Sequence, residues 1–191
     1  MRYNIYVFRH GQTYFNKNKM FTGWKESKLT SLGIKQAKAL GKILKNKKID
    51  IAFDNGLSRS KETLKQILIY HPECKKVITD KRMIERSYGK LEGLKHDDII
   101  EKYGLEQFNL WHRGFNDRPP KGESFADVEK RVCKFIKFLK FYIKKNRVNV
   151  AISASGNSIR LFRKIMEKKS KEEVVKWTIS YDKIFYYVLN V

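Results

Sequence analysis

Short β-rich runs alternate with helix-patterned segments from one end of this chain to the other, and that alternation restricts the architectures open to it. Strands are expected at Tyr3 to Phe8, Asp50 to Asp54, Lys76 to Thr79, Val148 to Ala154 and Lys183 to Val191. Between the first two, Ser31 to Lys45 sets Ile34, Ala37, Leu40 and Leu44 at helical spacing behind Thr30, a good N-cap residue. A second helix is expected over about Ser58 to Tyr70. The strongest pattern is Ser124 to Lys145, where Val128, Val132, Phe135, Ile136, Leu139 and Ile143 form one stripe and Ser124 with Asp127 has capping-box spacing. Such a stripe reads as core, not as a ligand box. Ser170 and Glu173 repeat the capping pattern before a short final helix. The expected fold class is α/β: three α/β/α layers around a mostly parallel central sheet.

A chain of 191 residues at 41% hydrophobic content buries one proper core, so residues 1–191 are read as one domain. Between about 82 and 122 the periodicity weakens while Gly, His, Trp, Arg and Pro accumulate. That segment is read as an insertion shaped for a site. No run of eighteen apolar residues occurs, and the N-terminus turns charged after a few positions, so neither a membrane span nor a signal peptide is expected. Two cysteines, Cys74 and Cys133, are too few for a disulfide framework and fit a reducing, cytoplasmic setting. The net charge of +22 comes mostly from lysines scattered over the helical segments, with no nucleic-acid-binding motif among them. It is read as a solvated surface that attracts small phosphorylated anions, not as a nucleic-acid footprint. His10, His71, His96 and His112 lack metal-site spacing, and no metal is expected.

Two stretches carry chemistry. In "NVAISASGNSIRLF", Asn149 to Phe162, a strand runs into Ser155, Gly156 and Asn157 and then a helix, a junction whose backbone N–H groups and helix dipole favour anions. In "FRHGQTYFN", Phe8 to Asn16, a strand end presents Arg9, His10, Gly11, Thr13 and Asn16: a cation, a nucleophile, a flexible turn and hydrogen-bonding side chains in one loop. That set suits phosphoryl transfer, with a neutral imidazole attacking phosphorus while Arg9 neutralises its oxygens.

Together with "FTGW" (Phe21 to Trp24), "LSRSKETL" (Leu57 to Leu64), "ERSYGKLEGL" (Glu85 to Leu94), "EKYGLEQFNLWHRGF" (Glu101 to Phe115), "GES" (Gly122 to Ser124) and "SGNSIR" (Ser155 to Arg160), these stretches make the chain resemble the histidine phosphatase superfamily, in its phosphoglycerate mutase branch. The resemblance implies that His10 becomes a phosphohistidine, that Arg9 and Arg59 grip the transferred group, and that Glu85 is the general acid and base at the substrate hydroxyl. A carboxyl crowded by phosphate and shielded from water would have a raised pKa suited to that role. It implies substrate-binding roles for Gly11, Thr13, Asn16, Thr22, Gly23, Arg86, Tyr88, Gly156 and Asn157. It also implies 2,3-bisphosphoglycerate as phosphoryl donor and a small phosphorylated substrate; homo-oligomers occur in the family, and nothing in the sequence specifies an interface.

Three departures lie in the same pocket. Ser155 stands where the resemblance places a second catalytic histidine, and loss of one preorganised donor typically costs about a hundred- to thousand-fold in rate. His96 and His112 stand where the mutase branch has a lysine and the first of two arginines; Arg113 is the second. The chain passes from "DRPPKGES" directly into its long helix and ends at "YYVLNV", where typical mutases carry a longer insertion and a tail, which implies a more open site. The leading expectation is interconversion of 3- and 2-phosphoglycerate, weakened by Ser155. A small-molecule phosphomonoesterase and a catalytically weak phosphate-binding pseudoenzyme are the alternatives.

Overall fold

The computed structural model describes residues 1–191. In chain order the elements are β1 (Arg2–Arg9), α1 (Tyr14–Lys17), α2 (Ser31–Leu44), β2 (Ile51–Asp54), α3 (Ser58–Leu68), β3 (Lys76–Thr79), α4 (His96–Tyr103), α5 (Leu105–Arg113), α6 (Phe125–Asn146), β4 (Val150–Ala154), α7 (Gly156–Met166), α8 (Lys171–Val174) and β5 (Ile184–Asn190). The strands lie in the order β3-β2-β4-β1-β5. The first four run parallel and β5 pairs antiparallel with β1, from Arg2↔Asn190 to Phe8↔Ile184. The mostly parallel three-layer sheet is thus present.

Strand alternation divides the core. Ile5 and Val7 of β1, Phe53 of β2 and Ile152 of β4 pack with the α6 stripe and with Ile159 and Phe162 of α7. Tyr6, Phe8, Ala52 and Ala151 point the other way, onto Leu40 and Leu44 of α2 and Leu64 and Ile67 of α3. Because both faces are covered, the central strands are mainly apolar; all five residues of β4, Ser153 included, are buried. The expected caps form: Thr30 accepts from Gly33 N, and Ser124–Asp127 and Ser170–Glu173 close as capping boxes.

Two expectations need correction. Asp50 and Asn149 precede their strands instead of belonging to them, because the Asp50 carboxylate accepts from both the backbone and side-chain nitrogens of Asn149, at 2.8 and 2.9 Å, and braces the two strand starts against each other. The segment at 82–122 is also more regular than its weak periodicity suggests, since it contains α4 and α5. Each buries only one residue, Ile99 and Phe108, in a small cluster with Phe21, Tyr88 and Leu91. No helix is long and apolar enough to cross a membrane.

Candidate active site

β1 and β4 are neighbours, and their C-terminal ends deliver the two chemistry-bearing stretches to one edge of the sheet, where open α/β sheets bind ligands. His10 follows β1 and donates its backbone N–H to Ala154 O at 3.1 Å; Ser155 caps α7 just after β4. Gly11 lies so close to Gly33, at the start of α2, that a Cβ on either would enter the other strand of backbone. This loop therefore seats on the α2 N-terminus only with glycine at both positions.

His10 is buried, and its Nδ1 lies 2.8 Å from Gly11 O. A carbonyl can only accept, so Nδ1 carries the proton and Nε2 the lone pair. That lone pair accepts from Arg59 Nε at 3.3 Å. Burial, reinforced by the guanidinium groups of Arg59 and Arg9, holds the imidazole pKa well below its ordinary value, so the ring is neutral. Arg59, itself 1% exposed, is fixed by Lys25 O at 2.9 Å and Gly23 O at 2.7 Å. Arg9 donates to Ile179 O at 2.6 Å and stacks over Tyr181, while its buried Nε has no hydrogen-bond partner.

Glu85 Oε1 accepts from the backbone nitrogens of Arg86 (2.7 Å) and Asn157 (3.2 Å). Arg131 and the Trp24 indole hold the Glu85 carbonyl, fixing the residue from behind. Asn157 then links several groups: its amide nitrogen donates to Tyr88 Oη at 3.1 Å, and its side-chain oxygen accepts from Arg160 at 2.5 Å.

A cavity of about 170 Å³ opens here. Its wall includes Arg9, Asn16, Thr22, Gly23, Glu85, Tyr88, His96, His112, Arg113, Gly156 and Asn157 of the expected residues. His10, Arg59 and Ser155 lie buried behind that wall, and Gly11 and Thr13 serve the loop: Gly11 N donates to Thr63 and Thr13 caps α1. Arg86 is placed differently from its expected role. Its guanidinium is fully buried, donates to the carbonyls of Glu123, Trp111, His112 and Asp117 and lies over the Tyr88 ring, so it pins the 82–122 segment from behind the cavity wall. Ser155 is likewise turned inward, with its Oγ accepting from Asn55 Nδ2 at 2.9 Å.

His96 and His112 form one wall, ring centroids 5.2 Å apart, against Phe21 and Phe108. Burial lowers both, and His112, next to Arg113, is pushed down to about 3. Neither brings a cation. Sequence reasoning missed five wall residues, Met20, Phe21, Arg160, Thr178 and Ile179; for Arg160 its spacing of three from Asn157 on α7 is the available signal, since such residues share a helix face. No group of three or more His, Cys, Asp or Glu side chains converges on a point that could hold a metal ion.

The profile of the histidine phosphatase superfamily (branch 1) matches residues 5–189. The chain belongs to the histidine phosphatase superfamily. It is 37% identical to the 2,3-bisphosphoglycerate-dependent phosphoglycerate mutase of Mesorhizobium japonicum over 194 aligned residues, covering all of this chain and 94% of that protein. A phosphoglycerate mutase of Schizosaccharomyces pombe is 38% identical, over 90% of this chain and 83% of the yeast protein. Among solved structures, the alpha-ribazole phosphatase of Shigella flexneri superposes with a TM-score of 0.83 at 22% identity, covering 100% and 91% of the two chains. Phosphoglycerate mutase of Bacillus anthracis gives 0.79 at 22%, covering 98% and 88%. At that identity these two superpositions speak for the superfamily's fold alone.

Proposed function

We propose that this superfamily member transfers a phosphoryl group through His10 Nε2, and that the reaction is the interconversion of 3- and 2-phosphoglycerate. The observation that carries the reading is the state of His10: neutral, with its tautomer fixed by Gly11 O and its lone pair on the nitrogen that faces Arg59. The identity to proteins named as mutases supports the substrate, and the 94% coverage of the Mesorhizobium relative means that a mutase of similar length exists.

In the resting site Arg59 caps the nucleophile. An arriving phosphate exchanges that hydrogen bond for its own oxygens, which frees Nε2 and leaves Arg59 gripping the transferred group. As the N–P bond forms and the P–O bond breaks, Arg9 and Arg59 neutralise the charge on phosphorus-bound oxygen. Glu85 protonates the leaving hydroxyl oxygen and recovers the proton when a hydroxyl attacks in the return transfer. Its Oε1 already accepts two backbone N–H groups, which leaves Oε2 for this task. Three arginines, Arg9, Arg113 and Arg160, line the cavity with a single carboxylate, Glu85, and the buried Nε of Arg9 is unpartnered; such a site fits a polyanion. 2,3-Bisphosphoglycerate, held by Arg9, Arg59, Asn16 and Arg113, would supply the phosphoryl group that loads His10.

A second reading, phosphomonoesterase on the same scaffold, is favoured by the neutral His96–His112 wall, which lacks the cations expected to hold a second anionic group. The test is incubation with bisphosphoglycerate, followed by assay of acid-labile phosphate on the protein, isomerisation of 3-phosphoglycerate and release of inorganic phosphate. Labelling lost in His10→Ala with isomerisation exceeding phosphate release supports the mutase. Phosphate release alone supports the phosphatase, and no labelling leaves the binding-protein reading.

A further inference from the structure

We propose that Trp24 is a positioning residue for proton transfer: its indole ties Glu85 to the loop that aims Arg59, so that the acid and the grip on the transferred phosphoryl group keep one register. This deepens the phosphoryl-transfer reading and rests on it for the roles of His10, Arg59 and Glu85.

Residues 21 to 26 form a strap between the two halves of the site. One end is anchored where Phe21 bonds through its backbone to Leu94 O and Gly93 N, at 3.0 and 2.7 Å. The other is anchored on the first turn of α3, where the Glu26 carboxylate accepts from the backbone nitrogen of Ser58 at 3.1 Å. Between the anchors, Gly23 O and Lys25 O take the two terminal nitrogens of the Arg59 guanidinium. Trp24 stands between those two carbonyls and reaches across to donate its Nε1–H to Glu85 O at 2.8 Å. Three consecutive residues therefore hold both the cation beside the nucleophile and the residue that carries the proton.

Packing does not account for a tryptophan here. Trp24 is 49% exposed, so about half of a large apolar side chain stays in water. What is specific to an indole is its single N–H donor, and that donor goes to the carbonyl of Glu85. The same carbonyl accepts from Arg131 Nη2 on α6 at 3.0 Å, so Glu85 is held from the strap and from the core at once. In transfer to His10 the N–P bond forms as the P–O bond breaks, the electron pair leaves on oxygen, and the proton of Glu85 follows it there. That step is fast only while the carboxyl stays aligned with the phosphorus that Arg59 grips. Without the indole, Arg131 alone fixes the Glu85 peptide, and the two groups drift relative to each other.

The test is the rate at which acid-labile phosphate appears on His10 of the whole chain, by rapid quench, from two saturating donors. One is 2,3-bisphosphoglycerate, whose leaving alkoxide needs a proton; the other is 4-nitrophenyl phosphate, whose phenolate leaves without one. Trp24→Phe should slow labelling by bisphosphoglycerate about tenfold, part of the hundredfold or more that a general acid supplies, and alter labelling by the aryl ester less than about twofold. Trp24→His, which keeps a ring N–H, should recover part of the rate. In a Glu85→Gln background Trp24→Phe should add nothing, because its effect runs through that carboxyl. Equal slowing with both donors, a further loss in the Glu85→Gln background, or no slowing at all overturns the inference and leaves the transfer reading standing. If the aryl ester does not label the native chain, the double variant decides, and if melting curves show Trp24→Phe unfolded, Trp24→Leu takes its place. Labelling by bisphosphoglycerate that survives Glu85→Gln at the native rate sinks the role given to Glu85 and this inference with it. Absence of any labelling sinks the transfer reading as a whole.

Discussion

At position 155 a hydroxyl occupies the end of β4, and Asn55 holds it facing away from the cavity wall. The hydroxyl therefore contributes little to the transition state. Ser155→Ala should change kcat less than about threefold, whereas Ser155→His, which restores a donor and a titratable charge, should raise it by about tenfold or more; steady-state rates of isomerisation and phosphate release check both. Arg86 behaves differently. Arg86→Met strands four carbonyls and should lower stability by about 3 kcal/mol or more, read in a urea melt, before any effect on chemistry is measurable. At this scale the sequence reveals residues that meet along short loops: Arg9 and His10 stand side by side, and Glu85 follows in an ordered set of motifs. It misleads at Arg86, because an arginine in a glycine-rich loop looks available until the folded insertion wraps it in backbone. It hides Arg160, because a single arginine on an amphipathic helix reads as solvent-facing.

The two short helices that carry His96, His112 and Arg113 meet at Gly104, which has φ 82° and ψ 158°, a conformation essentially restricted to glycine. Nothing crowds the position, so Gly104→Ala isolates backbone strain. It should cost about 1–3 kcal/mol and raise KM more than it lowers kcat, because it tilts a binding wall and leaves His10 and Glu85 in place; a melt and a Michaelis curve test the pair of effects. The long elements were legible since each presents several apolar residues at one period, as α6 does. α4 and α5 were not, because one buried side chain per helix makes no stripe, and their apolar faces close on a cluster that Phe21, distant in sequence, completes with Tyr88 and Leu91 of the irregular stretch just before α4.

For the whole molecule, pH and salt act through charge. Burial holds His10, His96 and His112 below their ordinary pKa, the last at about 3. Unfolding returns each to near 6.5. Below about pH 6.5 the unfolded chain thus binds protons that the folded chain refuses, so stability is full above that pH and falls on acidification. The melting temperature should drop between about pH 7.5 and about pH 5, and His112→Phe, which keeps a ring against Phe21 and Phe108, should reduce the slope. Salt should act in the stabilising direction. With 42 basic against 20 acidic residues, self-repulsion outweighs the few exposed ion pairs, so raising KCl from about 20 to about 300 mM should raise the melting temperature.

The segment just before β5 supplies the carbonyls that hold three of the cavity's arginines: Ile179 O for Arg9, and Trp177 O for Arg113 and Arg160. Arg9 and Ile179 are 170 positions apart. In chain order the loop that carries His10 is therefore made well before the segment whose carbonyls orient the arginines beside it. Until the segment around Trp177 emerges, the nascent protein carries His10 without the frame that aims Arg9, Arg113 and Arg160.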